Sequence, residues 1–163
     1  MSIRDKVADA TTISALLTGA EQEALAVGDE LPGVEHLVLA ALGLPDGTAA
    51  TAFGRLGVSP DAFRTAVAQV HAEALATVGV AAPDAGPSVR RVGPRSFRAS
   101  ATADETFRNA TALKQDSGAG RLLGAHVVAA ACEQERGTFP RALQALNVGR
   151  AELRAAAVTE ARR

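Results

Sequence analysis

Apolar residues in the first half of the chain recur at the three- and four-residue intervals of amphipathic helices. The first such stretch covers residues 11–28 and ends at a Gly-Asp pair, a typical stop signal. A second helix is expected over residues 33–42, closed by a loop that contains Gly and Pro, and a third over residues 48–56. The pattern therefore predicts three consecutive helices, preceded by an N-terminal segment of residues 1–10.

The fourth predicted helix has the clearest start. Ser59 is a preferred N-cap residue, Pro60 suits the first helical position, and Asp61 places a negative charge in the first turn. The apolar stripe that follows consists of Phe63, Val67, Val70, Ala74 and Val78. Residues 11–78 thus predict a unit of four helices.

The second half of the chain repeats the first at an offset of 90 residues, which sets His36 over His126. The pairing needs no gap between residues 36 and 68. Upstream it is expected to slip by one residue, so that Gly33 meets Gly124. An internal repeat of this length indicates a duplicated helical unit whose halves bury their apolar faces together.

Residues 79–96 separate the two repeats, and their three prolines and three glycines predict a linker rather than a helix. The second repeat then occupies residues 97–163. Its helices are expected over residues 100–116, 124–135, 138–146 and 149–161. Residues 116–120 are expected to form an additional turn without a counterpart in the first repeat. The chain is therefore predicted to be all-α.

Composition favours close helix packing and excludes several classes of protein. Five Phe and no Trp or Tyr leave Ala, Leu and Val to fill the core. The net charge of −1 provides no field that would favour nucleic acid or a membrane surface. No apolar stretch approaches the ~20 residues needed to span a bilayer, and no signal-peptide core follows Met1. The protein is therefore expected to be soluble and cytoplasmic.

The sequence shows no constellation of side chains for catalysis. It lacks the Gly-x-x-x-x-Gly-Lys-Ser/Thr pattern of a P-loop. The single cysteine, Cys132, lies in an apolar run and is interpreted as a buried small hydrophobe rather than a nucleophile. Metal-binding pairs of the His-x-x-x-His or Cys-x-x-Cys type are absent. We therefore predict no catalytic residue, no metal site, no cofactor and no enzymatic activity.

The first repeat contains four distinctive segments and is followed by a Gly/Pro-rich linker that ends at Phe97. The segments are Ala20-Glu-Gln-Glu-Ala24, Leu31-Pro-Gly-Val-Glu-His-Leu-Val-Leu-Ala-Ala41, Ala49-x-x-Ala52 and Leu56-Gly-Val58. With these features the repeat resembles the Clp N-terminal (Clp R) repeat of ClpC- and ClpA-type unfoldases. The resemblance covers residues 11–161 and is weaker in the second repeat. It implies two pseudo-symmetric four-helix repeats, packed as one globular unit that captures substrates and adaptors.

The resemblance also implies a first candidate binding region, at Val34, Glu35 and His36. In some relatives the Glu of a Gly-Thr-Glu-His signature receives the guanidinium of phosphoarginine. Here Val34 replaces the signature Thr, and the second repeat has Gly124-Ala-His126 without a Glu. The alternative interpretation is structural, with Glu35 stabilising the positive end of its helix and His36 packing or capping.

A second candidate region consists of Val92 in the linker and Phe97 at its end. In actinobacterial relatives the Phe at this place is part of a hydrophobic groove that binds cyclic-peptide antibiotics. The alternative interpretation is that Phe97 anchors the linker to the core.

Two functions follow from the resemblance. In the first, the chain is a non-catalytic binding module for peptides, degron-bearing proteins or cyclic-peptide ligands. It would then buffer or modulate a ClpC-type unfoldase, or sequester an antibiotic. In the second, it is an adaptor or regulator that docks directly on the unfoldase or on a transcription factor. Neither function requires nucleic acid or a membrane, and the chain is expected to be a monomer or a weak dimer.

Overall fold

A computed structural model describes residues 3–79 and 97–163, which form eight α-helices and no strand. The first four helices are α1 Ile3–Ala26, α2 Val34–Leu42, α3 Thr48–Gly54 and α4 Pro60–Thr77. The second four are α5 Ala101–Ser117, α6 Gly124–Ala131, α7 Thr138–Ala145 and α8 Arg150–Ala161. None of these helices is long and apolar enough to cross a membrane. The predicted all-α fold class is confirmed.

The helix starts follow from local capping chemistry. The Ser59 hydroxyl accepts the backbone N–H of Ala62 at 3.1 Å, as predicted for the start of α4. Helix α1 begins at Ile3, well before the predicted start near residue 11. The apolar pattern missed this extension because its buried contact is polar: Asp9 pairs with Lys114 of the second repeat.

The two repeats pack against each other around a pair of central helices, one from each repeat. Within the repeats α1 packs on α2 and α5 on α6, while α3 packs on α8 and α4 on α7 between the repeats. The central helices α2 and α6, almost entirely buried, contact each other. Phe63 joins the repeats, with ring centroids 5.0 Å from Phe53 and 5.9 Å from Phe139. One hydrophobic cluster thus includes buried residues of both repeats, which confirms the duplicated architecture.

The offset of 90 residues continues upstream without the predicted slip. Gly33 and Leu123 occupy the equivalent N-cap positions of α2 and α6, so Gly124 corresponds to Val34. The expected pairing of Gly33 with Gly124 is therefore wrong. Gly124 is required for a different reason, because a Cβ there would lie 2.9 Å from the carbonyl oxygen of Ala41.

The turn at residues 116–120 does have a counterpart in the first repeat, contrary to the prediction. Gly28 and Gly118 follow α1 and α5 with φ angles of 83° and 70°. Such left-handed residues commonly close a helix, and glycine adopts this conformation without strain. The two turns therefore hold the same position in their repeats, although their sequences differ.

Candidate functional site

Four polar side chains converge beside the start of α2, and we refer to Asp29, Glu35, His36 and His71 as the polar cluster. Asp29 lies in the turn after α1, Glu35 and His36 in the first turn of α2, and His71 on α4. One potential ligand atom from each residue lies within 4.8 Å of the others. Glu35 and His36 are buried, whereas Asp29 and His71 are half-buried. The structure thus joins two predicted site residues to two that the sequence did not indicate.

His36 closes the start of α2, as the structural interpretation predicted. Its Nδ1 accepts the backbone N–H of Gly33 at 2.9 Å, and Nδ1 of His126 accepts that of Leu123 at 3.0 Å. This contact is one half of a capping box. A neutral ring that accepts at Nδ1 carries its proton on Nε2. Burial lowers the pKa of both histidines, which favours this neutral form.

The two capping histidines differ at their other ring nitrogen. Nε2 of His126 lies 3.1 Å from the Ser117 hydroxyl. Nε2 of His36 has no hydrogen-bond partner within the described part of the chain, and Oδ2 of Asp29 lies 3.7 Å from it. The His71 ring stacks on His36 with a centroid distance of 5.7 Å, and its Nε2 is likewise buried without a hydrogen-bond partner among these residues.

The Glu35 carboxylate faces the histidines rather than solvent. Its Oε1 lies 3.4 Å from His71 Nε2 and 3.9 Å from His36 Nδ1. Burial alone would raise the pKa of Glu35. The interaction with His71, a backbone hydrogen bond and the charge of the nearby histidines together outweigh burial and lower it. The same interaction raises the pKa of His71 against the opposing effect of burial. A ligand guanidinium at Oε1 of Glu35 would therefore compete with His71 for the carboxylate.

The Glu35 carboxylate packs closely against the glycine before α2. A Cβ at Gly33 would stand 2.7 Å from each carboxylate oxygen of Glu35, so a side chain there would force this carboxylate to move. Glycine at the N-cap therefore allows Glu35 to fold back over the helix start, next to its histidine partners.

The other predicted site residues lie apart from the polar cluster or outside the described chain. Val34 is 6% exposed and contributes its side chain to the core. Phe97 is half-buried against that core. The backbone N–H of Ser100 donates to the carbonyl of Pro32 at 3.0 Å, which joins the start of the second repeat to the α1–α2 turn. Val92 lies outside the described residues.

Cys132 is buried and has a structural role. It is 4% exposed at the end of α6, which confirms its predicted burial. That burial raises the pKa of its thiol to about 12. A thiol of this kind is a poor nucleophile near neutral pH, because the reactive thiolate is scarcely populated.

The fold and its two capping histidines define the class of protein: a duplicated four-helix module built around two buried central helices. The chain belongs to the Clp repeat (R) N-terminal domain family, which it matches over residues 10–146. This family provides the protein-binding N-terminal domains of Clp unfoldases.

Comparison with solved structures gives the same fold. The chain is similar to the N-terminal domain of the caseinolytic protease-associated chaperone ClpD from Arabidopsis thaliana, with a TM-score of 0.63 and 18% identity. The similarity covers 91% of this chain and 90% of that one. No curated protein matches the chain. The resemblance to Clp N-terminal repeats is therefore confirmed for family and fold.

Proposed function

We propose that the chain is a non-catalytic binding module that captures peptides, degron-bearing proteins or cyclic-peptide ligands, and so buffers or modulates a Clp unfoldase. The observation that carries this proposal is the family match across both repeats, combined with a core that they share. The sequence contains no P-loop. Any ATP-driven unfolding in which the module takes part must therefore be powered from outside these 163 residues.

We expect such ligands to contact the junction between the repeats, where two apolar side chains are partly exposed. Phe97 is only half-buried, and Leu31 is 41% exposed. The hydrogen bond between Ser100 and Pro32 joins the segments that carry these two side chains. Partly exposed aromatic and aliphatic side chains are features that the apolar residues of a bound peptide would cover.

Titration calorimetry with three ligands tests the proposal: phosphoarginine, an unfolded model protein and a Clp-targeting cyclic peptide. A ligand present at 100 times its Kd should stabilise the native state by about 2.7 kcal/mol, which a thermal shift reports independently. We expect Phe97→Ala to weaken binding of the unfolded protein or the cyclic peptide. Glu35→Gln should weaken binding of phosphoarginine.

Phe107→Ala is the matched control, because Phe107 is another half-buried phenylalanine that packs on the core. If both Phe variants weaken ligand binding equally, the effect comes from lost packing rather than from a contact with the ligand. If none of the three ligands binds, the proposed capture is wrong. A pulldown in which the unfoldase or a transcription factor is the only partner would then favour the adaptor hypothesis.

A further inference from the structure

We propose that the polar cluster binds a divalent transition-metal ion. The expected ligand atoms are Oδ2 of Asp29, Oε1 of Glu35 and Nε2 of His71, with water in a fourth position. Imidazole and carboxylate together suit ions such as Zn²⁺. Two carboxylates also balance the charge of a doubly positive ion, which is needed in a site this buried.

The distances between the ligand atoms are close to those of an occupied site. Bonds of about 2.0–2.1 Å in a tetrahedral arrangement place ligand atoms roughly 3.3 Å apart. His71 Nε2 lies 3.4 Å from Glu35 Oε1 and 3.8 Å from Asp29 Oδ2. Small side-chain rotations would therefore be enough to bring the three atoms around an ion. Asp29 is the most exposed member, with a side chain 40% accessible, and provides a route for entry.

A buried nitrogen without a partner points to a missing component at this position. Nε2 of His36 has no hydrogen-bond partner among the described residues, and Nε2 of His71 has only long ion-pair contacts, at 3.4 Å to Glu35 and 3.8 Å to Asp29. His36 is only 1% exposed. Buried polar atoms in folded proteins are rarely left unsatisfied. A metal ion with its bound water would satisfy both nitrogens, the first as a hydrogen-bond donor and the second as a ligand.

The capping contact of His36 decides which role it takes. Since its Nδ1 accepts the Gly33 N–H, Nε2 carries the proton and cannot ligate an ion without the loss of that bond. His36 is therefore a positioning residue, which donates to Asp29 or to the metal-bound water. Outer partners of this kind orient ligands and tune metal affinity.

The second repeat supports this assignment, because it contains the cap without the cluster. At the offset of 90 residues, Ala119, Ala125 and Ala161 replace the three proposed ligands, and only His126 is retained. There the histidine Nε2 lies beside the Ser117 hydroxyl, so no donor is left over. Among the described residues, the unpartnered histidine nitrogen therefore occurs only in the first repeat, which also has the carboxylates. We accordingly expect one ion per chain.

The test is calorimetric titration of the chelator-treated full chain with Zn²⁺, and absorption spectroscopy with Co²⁺ to report the coordination geometry. We expect one saturable site with a Kd in the micromolar range or tighter. Asp29→Asn and His71→Gln should each weaken binding by at least about tenfold, the loss found even for outer partners of metal ligands. Asp29 lies in an exposed turn, so its isosteric variant should keep the fold.

His126→Gln is the control, because it alters the equivalent capping histidine of the second repeat and should leave Zn²⁺ affinity unchanged. The proposal is wrong if Zn²⁺ shows no saturable binding, as expected if water alone fills the cluster. It is also wrong if Asp29→Asn and His71→Gln bind as tightly as the original chain, or if His126→Gln weakens binding equally.

Discussion

The buried contact between α1 and the second repeat gives a direct test of the packing. Oδ2 of Asp9 lies 2.5 Å from Nζ of Lys114, and Oδ1 accepts the backbone N–H of Leu122 at 2.6 Å. Asp9 and Lys114 are each 9% exposed. One carboxylate therefore satisfies both an ammonium group and a backbone donor that water hardly reaches. Asp9→Ala would remove the partner of both.

The expected cost of Asp9→Ala is large relative to the stability of a domain. Loss of one member of a buried ion pair costs about 3–5 kcal/mol, and an unsatisfied buried N–H alone costs about 1–3 kcal/mol. These costs overlap, because water admitted to the vacated space would solvate both groups. We therefore expect a loss of about 3–5 kcal/mol from a total of roughly 5–15 kcal/mol. For a chain of this length that lowers Tm by roughly 6–20 °C.

Urea denaturation followed by far-UV circular dichroism measures this loss. Thr11→Ala is the control on the same helix, because the Thr11 hydroxyl donates only to the exposed carbonyl of Val7 and its removal should change stability by less than about 0.5 kcal/mol. The double variant Asp9→Leu/Lys114→Met should recover part of the loss, since apolar residues can replace a buried pair. A loss for Asp9→Ala no greater than that for Thr11→Ala would refute the reasoning.

Three further predictions test other parts of the molecule. Burial lowers the pKa of His126 from its ordinary 6.5, so the unfolded state binds more protons as the pH falls below 6.5 and stability decreases there. His126→Gln, which retains an acceptor at this position but does not titrate, should flatten this decrease in urea titrations across pH. Gly124→Ala should lose about 1–3 kcal/mol in thermal melts, because its Cβ would meet the Ala41 carbonyl at 2.9 Å. Cys132 should resist a thiol-specific reagent in the native chain and react readily in urea.

The sequence predicts the helices well where their faces are apolar and their ends are capped by side chains. Ser59 and the stripe after it located α4 because both signals are local. The N-terminal part of α1 was missed, since its buried residue is a charged one, Asp9, whose partner is distant in sequence. The register of the second repeat differs from the prediction because the two glycines are not equivalent: Gly33 lies against a carboxylate, and Gly124 allows close approach of helices.

The polar cluster could be predicted only in part. Glu35 and His36 lie within a recognisable signature at the start of α2. Asp29 belongs to the stop signal after the first predicted helix, His71 falls within the fourth, and neither carries a local pattern that indicates a ligand. Asp29 precedes α2 in the chain, and His71 joins the cluster because α4 packs on α2. The spacing rules for metal ligands examine neighbours along one helix, whereas these side chains come from a turn and two helices.

Comparison of the two repeats separates the structural role of the histidines from any ligand chemistry. His36 and His126 both cap a central helix through Nδ1, so capping explains why each repeat has a histidine there. A role in ligand binding common to both repeats would require similar surroundings at Nε2, yet alanines replace the three other cluster residues around His126. Ligand chemistry at the polar cluster therefore belongs to the first repeat alone. Any ion or guanidinium that binds there should do so once per chain, and alteration of His126 should change stability without changing affinity.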